Sequence, residues 1–142
     1  MAYIKIWIHA VWSTKNREPL LDRSVRRKVF DHIKTNAEEK NIYIDFINGY
    51  TDHVHCLISL KADQTIAKTI QLIKGESSFW VNKQKLIEGK FEWQEEYFAV
   101  SVSESHVNRV RDYIKNQEEH HQKVTFEEER LTFISKYGFE RA

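Results

Sequence analysis

Four segments of the chain alternate apolar and polar residues with the period of two that is typical of β-strands. They span residues 3–12, 42–47, 53–60 and 96–103. Residues 48–52 have the composition of a turn, so the second and third segments are predicted to form a β-hairpin. In the first segment, one face is predicted to carry Ile4, Ile6, Ile8, Ala10 and Trp12.

Between these strands, apolar residues recur at the three- and four-residue spacing of amphipathic helices. The first helix is predicted over residues 22–40, with Asp22 or Ser24 as its N-cap. The second is predicted over residues 65–83, although Gly75 weakens its middle. The buried stripes are predicted to comprise Val25, Val29, Ile33 and Ala37 in the first helix and Ile66, Ile70 and Ile73 in the second.

After the fourth strand the pattern predicts a third helix over residues 106–122, capped by Ser103 or Ser105, and a terminal helix over residues 125–136. The order βαββαβ followed by helices predicts an α+β fold, a ferredoxin-like antiparallel sheet with two helices on one face. Only four glycines and one proline punctuate the chain, which disfavours turn-rich all-β folds. We expect a single domain over residues 1–142.

Composition narrows the class of protein. Hydrophobic residues make up 41% and charged residues 30%, and no run approaches the roughly 18 apolar residues of a membrane span. The start of the chain lacks the order of a signal peptide, so a cytoplasmic location is expected. Cys56 is the single cysteine, which leaves histidine and oxygen atoms as the ligands for any metal.

His53 and His55 flank Val54 in the third predicted strand. Strand alternation directs both imidazoles to the same face, where they can bind one divalent cation, while Val54 and Cys56 point to the other face. Histidine pairs of this kind also occur on surfaces and in partly buried positions without a metal. The pair alone therefore leaves a metal site and a structural role open.

Tyr113 and Gln117 are four residues apart in the predicted third helix and therefore share a face. A half-buried tyrosine hydrogen-bonded to a neighbouring glutamine is a common packing arrangement, so this pair also has a structural interpretation. His120 shares roughly the same face but is expected to be solvated at the helix end. No residue identifies itself as the base for the tyrosine.

The two pairs complement each other chemically. Two imidazoles and an amide oxygen offer three ligands, leaving positions for water and a phosphate oxygen, and tyrosine offers a nucleophile for that phosphate. Because this set contains no carboxylate, we expect binding weaker than at a structural zinc site, with Mg²⁺ or Mn²⁺ as the ion.

Together, the order and spacing of these motifs resemble the single-tyrosine HUH transposases of the smallest bacterial insertion sequences, the IS200-like family. His53-Val54-His55 is similar to the HUH motif, and residues 113–117 are similar to the Tyr-x-x-x-Gln motif. Supporting similarity covers residues 12–17, 48–49, 93–97 and 116–121.

The resemblance implies a function and a role for each motif residue. Tyr113 would be the nucleophile, carried by the C-terminal helices, and His53, His55 and Gln117 would be the metal ligands. Such enzymes cleave and rejoin single-stranded DNA with hairpin-forming ends through a 5′-phosphotyrosine, without ATP. The family also implies a homodimer, with the tyrosine helix of one subunit completing the site of the other. Ile114, beside Tyr113, could then pack on the partner subunit, and packing on the sheet of its own chain is equally open.

The net charge of +1 does not by itself indicate a nucleic-acid-binding protein. A local basic surface is nevertheless expected near the motifs, with Lys15, Arg17, Arg111 and Lys115 as candidate DNA contacts. The acidic residues are expected to lie elsewhere, in particular Glu118, Glu119, Glu127, Glu128 and Glu129. The four tryptophans are expected to pack in the core rather than stack on bases.

Three alternatives remain open from the sequence. The first is a HUH nickase of plasmid replication or transfer, or a domesticated relative that processes chromosomal repeats. The second is a ferredoxin-like module that binds single-stranded DNA without catalysis. The third is a small metal-dependent hydrolase that uses His53 and His55 but never links DNA to protein.

Overall fold

The computed structural model describes residues 1–138 and contains a four-stranded antiparallel sheet. The strands run in the order β2-β3-β1-β4, with every neighbouring pair antiparallel. Their bounds are β1 (Ile6–Ser13), β2 (Tyr43–Gly49), β3 (His53–Leu60) and β4 (Phe98–Val102). This order confirms the predicted α+β, ferredoxin-like fold.

Helices α1 (Arg23–Glu39) and α2 (Ile66–Gln84) cover one face of the sheet. Each begins at a side-chain cap, because Asp22 accepts a hydrogen bond from the Val25 amide and Thr65 accepts one from the Lys68 amide. Their apolar stripes meet the sheet in a main core that includes Ile8, Ala10, Trp12, Val29, Ile33, Val54, Cys56, Ile58, Ile70 and Ile73. The central strands β1 and β3 therefore supply the middle of this core.

The other face of the sheet carries the C-terminal part of the chain, α3 (Val107–Lys115), α4 (Gln117–His121) and α5 (Phe126–Tyr137). A second apolar cluster joins α3 to this face through Trp7, Leu57, Val107 and Ile114. Val11 of β1 lies opposite His55 of β3 in the register. Because alternate residues share a face, His53 and His55 lie on the same side as Leu57 and hence as α3.

Three predictions about elements were wrong, and one of them is that Ile66 belongs to the buried stripe of α2, because this residue is 37% exposed. The predicted helix over residues 106–122 is divided, with a 3₁₀ turn at Glu104–His106 and a break at Asn116, and Ser103 makes no side-chain cap bond. Ile4 precedes β1 and Ile6 is 45% exposed, so neither belongs to the buried face. Ile6 pairs with Leu60, the last residue of β3, so the strand pairing ends there.

Within residues 1–138, no helix combines the length and the apolar composition needed to cross a bilayer.

Candidate active site

The histidine pair of β3 lies at the centre of the site. Both side chains are fully buried, while Val54 and Cys56 face the main core on the other side of the sheet. His53 Nδ1 lies 2.8 Å from Asp52 Oδ1, and its Nε2 lies 3.2 Å from Gln117 Oε1. The contact with Asp52 holds the His53 ring so that Nε2 points toward Gln117.

Contacts with β2 fix helix α3 above the histidines. The Asn48 side-chain amide donates to the carbonyl oxygens of Ile114 and Lys115, both at 3.1 Å, which satisfies two groups at the helix end. Arg111 donates to both carboxylate oxygens of Asp45, at 2.6 and 2.8 Å. These polar contacts and the buried Ile114 hold the tyrosine-bearing helix against the sheet of its own chain.

All four motif residues meet in one place. Tyr113 is half-buried, and its ring centre lies 5.6 Å from that of His55. Gln117 Nε2 donates to the Tyr113 carbonyl oxygen at 3.1 Å, so Gln117 Oε1 is directed toward His53. The structure therefore brings His53, His55, Tyr113 and Gln117 together within a single chain.

His9 of β1 is a site residue that sequence reasoning missed. It is 6% exposed, and its Nε2 lies 2.8 Å from His55 Nδ1. This contact orients the His55 ring so that Nε2, the other nitrogen, faces the site. The available signal was that His9 lies on the face of β1 opposite to Ile8 and Ala10. To place His9 beside His55 from the sequence, one must also know that β1 pairs with β3 and in which register, and the local sequence specifies neither.

Glu129 of α5 is the second missed residue, and it corrects the prediction that this carboxylate lies elsewhere. It is 3% exposed, with Oε1 3.0 Å from His55 Nε2 and 3.7 Å from His53 Nε2. Its other oxygen accepts the hydrogen bond of the Tyr113 hydroxyl. A capping box at Thr125 starts α5 one turn before Glu129, and this local signal was available in the sequence.

His120 and His121 of α4 also face Glu129. Their Nε2 atoms lie 3.0 and 3.2 Å from Glu129 Oε2, so the prediction that His120 is solvated at a helix end was wrong. Both nitrogens are buried beside this carboxylate, although within residues 1–138 neither contact has the geometry of a well-aligned hydrogen bond. Buried nitrogens of this kind are costly unless another group satisfies them.

Burial and charge set the protonation of the site. Burial lowers the pKa of His55 to about 4 and that of His9 to about 3, so both imidazoles are neutral near pH 7. Burial, together with the nearby Glu129 charge, raises the pKa of Tyr113 above its usual value. Burial opposes ionisation of Glu129, but His121 and His55 hold the pKa of that carboxyl below its usual range.

The donor set fits a divalent metal ion. One ligand atom from each of His53, His55, His121 and Glu129 lies within 4.8 Å of the others. Ligands held about 2.1 Å from an ion are about 3.0–3.5 Å apart, which matches the 3.2 Å between His53 Nε2 and Gln117 Oε1. A histidine binds a metal ion through an unprotonated ring nitrogen, so the neutral form of His55 is suited to this role. The Nε2 atom of His121 is also buried in the same place.

The predicted DNA contacts have different surroundings. Lys15 pairs with Glu92 at 2.7 Å, Arg17 pairs with Glu127, and Lys115 is exposed on α3. Arg111 is held by Asp45, as described above. The prediction that acidic residues lie apart from the basic ones was wrong for Glu127, as it was for Glu118, which contacts Arg26.

Comparison with known proteins settles the family. Residues 2–117 match the family described as Transposase IS200 like. The chain belongs to this family. The match covers the sheet, α3 and all four motif residues, which confirms the resemblance found in the sequence.

Comparisons with individual proteins support the same family for this IS200-like transposase. It is 27% identical over 115 residues to the ISDra2 transposase TnpA of Deinococcus radiodurans, covering 77% of this chain and 81% of that protein. Two solved structures share the fold. One is a Deinococcus radiodurans protein assigned as a transposase, with a TM-score of 0.66 and 23% identity, covering 82% of this chain and 93% of the other. The second is a REP-associated tyrosine transposase bound to a REP hairpin. It has a TM-score of 0.63 and 19% identity, and the match covers 87% of this chain and 73% of the other.

The family match ends at Gln117, whereas Glu129 lies twelve residues beyond it. The carboxylate at the centre of the site is therefore contributed by a part of this transposase outside the matched segment.

Proposed function

We propose that this transposase cleaves and rejoins single-stranded DNA through a phosphotyrosine on Tyr113, with His53, His55 and Gln117 as metal ligands. One observation carries the proposal: the hydroxyl of Tyr113 shares a buried site with the nitrogens of two adjacent strand histidines. A nucleophile beside a metal-binding pair is an arrangement suited to metal-assisted phosphoryl transfer through a covalent intermediate.

The reaction exchanges one phosphodiester bond for another, so the energy of the broken bond is kept. The Tyr113 oxygen attacks the scissile phosphorus, a bond forms between them, and the bond from phosphorus to the 3′-oxygen breaks. The Tyr113 hydroxyl gives up its proton, the 3′-oxygen takes up a proton and leaves as a free hydroxyl, and the 5′-phosphate stays on the tyrosine. Attack by another 3′-hydroxyl reverses these changes and releases the tyrosine, so no ATP is consumed.

The chain's own residues hold the reacting groups in place. His9 and Asp52 orient the two histidines, and the Gln117 amide is fixed by the Tyr113 carbonyl oxygen. When bound, Mg²⁺ or Mn²⁺ supplies positive charge that polarises the phosphate and stabilises the charge of the transition state. Burial of the histidines excludes water that would weaken this interaction.

We further propose that each chain uses its own tyrosine. The bonds from Asn48 and Arg111 tie α3 to β2 of the same chain, and Ile114 is fully buried against the same sheet. A homodimer is compatible with this arrangement, whereas exchange of tyrosine helices would require the same contacts to form between subunits.

Single-stranded DNA with hairpin ends is the proposed partner. The support is the likeness to a relative whose structure contains a REP hairpin, together with the exposed Lys115 two residues from the nucleophile. Lys15 and Arg17 remain candidate contacts, because exposed ion pairs such as theirs contribute little stability and can be exchanged for phosphate.

The test is a search for a covalent adduct. Wild type and Tyr113→Phe are incubated with labelled single-stranded DNA from the flanks of the gene, with and without Mn²⁺, and separated on a denaturing gel. We expect a metal-dependent adduct for wild type and none for Tyr113→Phe, with DNA binding retained. Tyr3→Phe, which alters a tyrosine that is 90% exposed, is the matched control and should behave as wild type.

Other outcomes would contradict the proposal in distinct ways. An adduct that persists in Tyr113→Phe would assign the nucleophile elsewhere. Cleaved DNA released without any adduct would indicate a hydrolase, and binding without cleavage would indicate a binding module.

A further inference from the structure

We infer that Glu129 is a further ligand of the proposed metal ion and positions the Tyr113 hydroxyl, which makes α5 part of the catalytic site. This inference rests on the proposed function and extends it to a residue outside the family match.

The position of Glu129 Oε1 supports the first role. It lies 3.0 Å from His55 Nε2 and 3.7 Å from His53 Nε2, the two nitrogens that are the proposed ligands. Two atoms bound to one ion at about 2.1 Å are at least about 3.0 Å apart when they are neighbours and at most about 4.2 Å apart when they are opposite, so both distances allow one ion to be shared by all three atoms. Oxygen is also the donor that Mg²⁺ and Mn²⁺ prefer.

The second oxygen supports the positioning role. Glu129 Oε2 accepts the hydrogen bond of the Tyr113 hydroxyl, so the carboxylate bridges the nucleophile and the histidine nitrogens. A tyrosine side chain otherwise rotates about its bonds, and this contact restricts the place of its oxygen.

Glu129 is a buried carboxylate surrounded by imidazoles. The carboxylate is buried, and its side-chain contacts are Tyr113 and the imidazoles of His53, His55, His120 and His121. Burial of an anion is costly without a compensating positive charge, and a divalent cation among these side chains would supply it.

Helix α5 reaches this position through contacts that do not involve Glu129. Phe126 stacks on the His53 ring at 4.5 Å between ring centres, and Arg130 pairs with Glu96 at 3.2 Å. The Thr125 capping box stabilises the start of the helix. Replacing the Glu129 carboxylate should therefore leave α5 docked.

The test measures Mn²⁺ binding to the full chain without DNA, by electron paramagnetic resonance or calorimetry. We expect Glu129→Gln to raise the Kd for Mn²⁺ at least about tenfold, and Glu129→Asp to fall between this variant and wild type. Glu127→Gln is the matched control, because it removes the same charge from the surface of the same helix and should bind Mn²⁺ as wild type does. Thermal unfolding by circular dichroism verifies that each variant is folded.

A second readout examines the tyrosine. At saturating Mn²⁺, Glu129→Gln should still form less adduct than wild type, because its amide no longer offers the same acceptor to the Tyr113 hydroxyl. Tyr3→Phe, which changes an exposed residue outside the site, should form as much adduct as wild type.

The failures are distinguishable. If Glu129→Gln binds Mn²⁺ like wild type while His53→Ala/His55→Ala does not, the ligand role of Glu129 is wrong and the proposed histidine site stands. If Glu129→Gln binds Mn²⁺ normally and forms more adduct, the carboxylate blocks the site rather than completing it. If wild type binds no Mn²⁺, both the inference and the metal-assisted mechanism are overturned.

Discussion

Gly49 shows how a single residue fixes the start of the histidine strand. It ends β2, and a Cβ built on it would lie 2.1 Å from the His53 carbonyl oxygen and 3.0 Å from the Phe30 ring. The Tyr50 amide donates to the same carbonyl oxygen at 3.1 Å, so the hairpin closes tightly at this point. The absence of a side chain at Gly49 is therefore a condition for the position of His53.

We predict that Gly49→Ala destabilises the protein and weakens the site together. The added methyl group must push the backbone of His53 away, at a cost of about 1–3 kcal/mol, as for other overpacked positions. Urea denaturation measures the stability, and the adduct assay measures the displacement of His53.

Gly75→Ala is the matched control for this substitution. A Cβ at Gly75 meets nothing within 4 Å, and the residue lies inside α2. Alanine should therefore stabilise the helix by about 0.5–1 kcal/mol and leave adduct formation unchanged. Equal destabilisation by the two substitutions would show that crowding at His53 is not the cause.

At the scale of elements, α3 is held at its end by a side chain of the sheet. Asn48 satisfies the carbonyl oxygens of Ile114 and Lys115, which adjoin the break at Asn116. Tyr113 precedes these two residues, so the direction of the helix end determines where its hydroxyl lies.

We predict that Asn48→Ala reduces adduct formation more than it reduces stability. Loss of two hydrogen bonds costs about 1–2 kcal/mol, while α3 keeps its apolar contact through Ile114. Asn48→Asp should be worse, because its carboxylate would face two carbonyl oxygens. Adduct yield at saturating Mn²⁺ and urea denaturation provide the two measurements, and unchanged yields would exclude this role of Asn48.

Elements with local signals could be predicted from the sequence, whereas their assembly could not. The strand His53–Leu60 follows from the alternation of side chains along it. The caps at Asp22 and Thr65 each involve an amide only three residues further along the chain. The place of His9 depends on strand register, and that of Glu129 on how α5 packs against α4 and the sheet. Those contacts join residues 46 and 74 positions apart, which no local pattern encodes.

At the scale of the whole molecule, a single chain brings its own tyrosine and its own histidines together in one site. We predict that Tyr113→Phe and His53→Ala/His55→Ala do not restore each other when mixed. Neither chain would hold a complete site, even within a mixed dimer. The adduct assay, with the two chains distinguished by size, measures this.

An adduct on the histidine-deficient chain would contradict that prediction. It would mean that the tyrosine of one subunit acts at the histidines of another, and that the α3 contacts with β2 are exchanged between chains. Each variant alone provides the control, and neither should form an adduct.

The placement of the histidines on β3 has a consequence for how the molecule opens. β3 is an interior strand, hydrogen-bonded to β1 and β2, and its other face forms the middle of the main core. The tyrosine and Glu129 lie instead on peripheral helices that rest on the sheet. Local opening events start where fewer contacts must be broken, so α3 and α5 can move away from the sheet and return while β3 stays folded. Under the proposed function, opening of these outer helices would therefore control access to the reacting groups, at free energies below that of global unfolding.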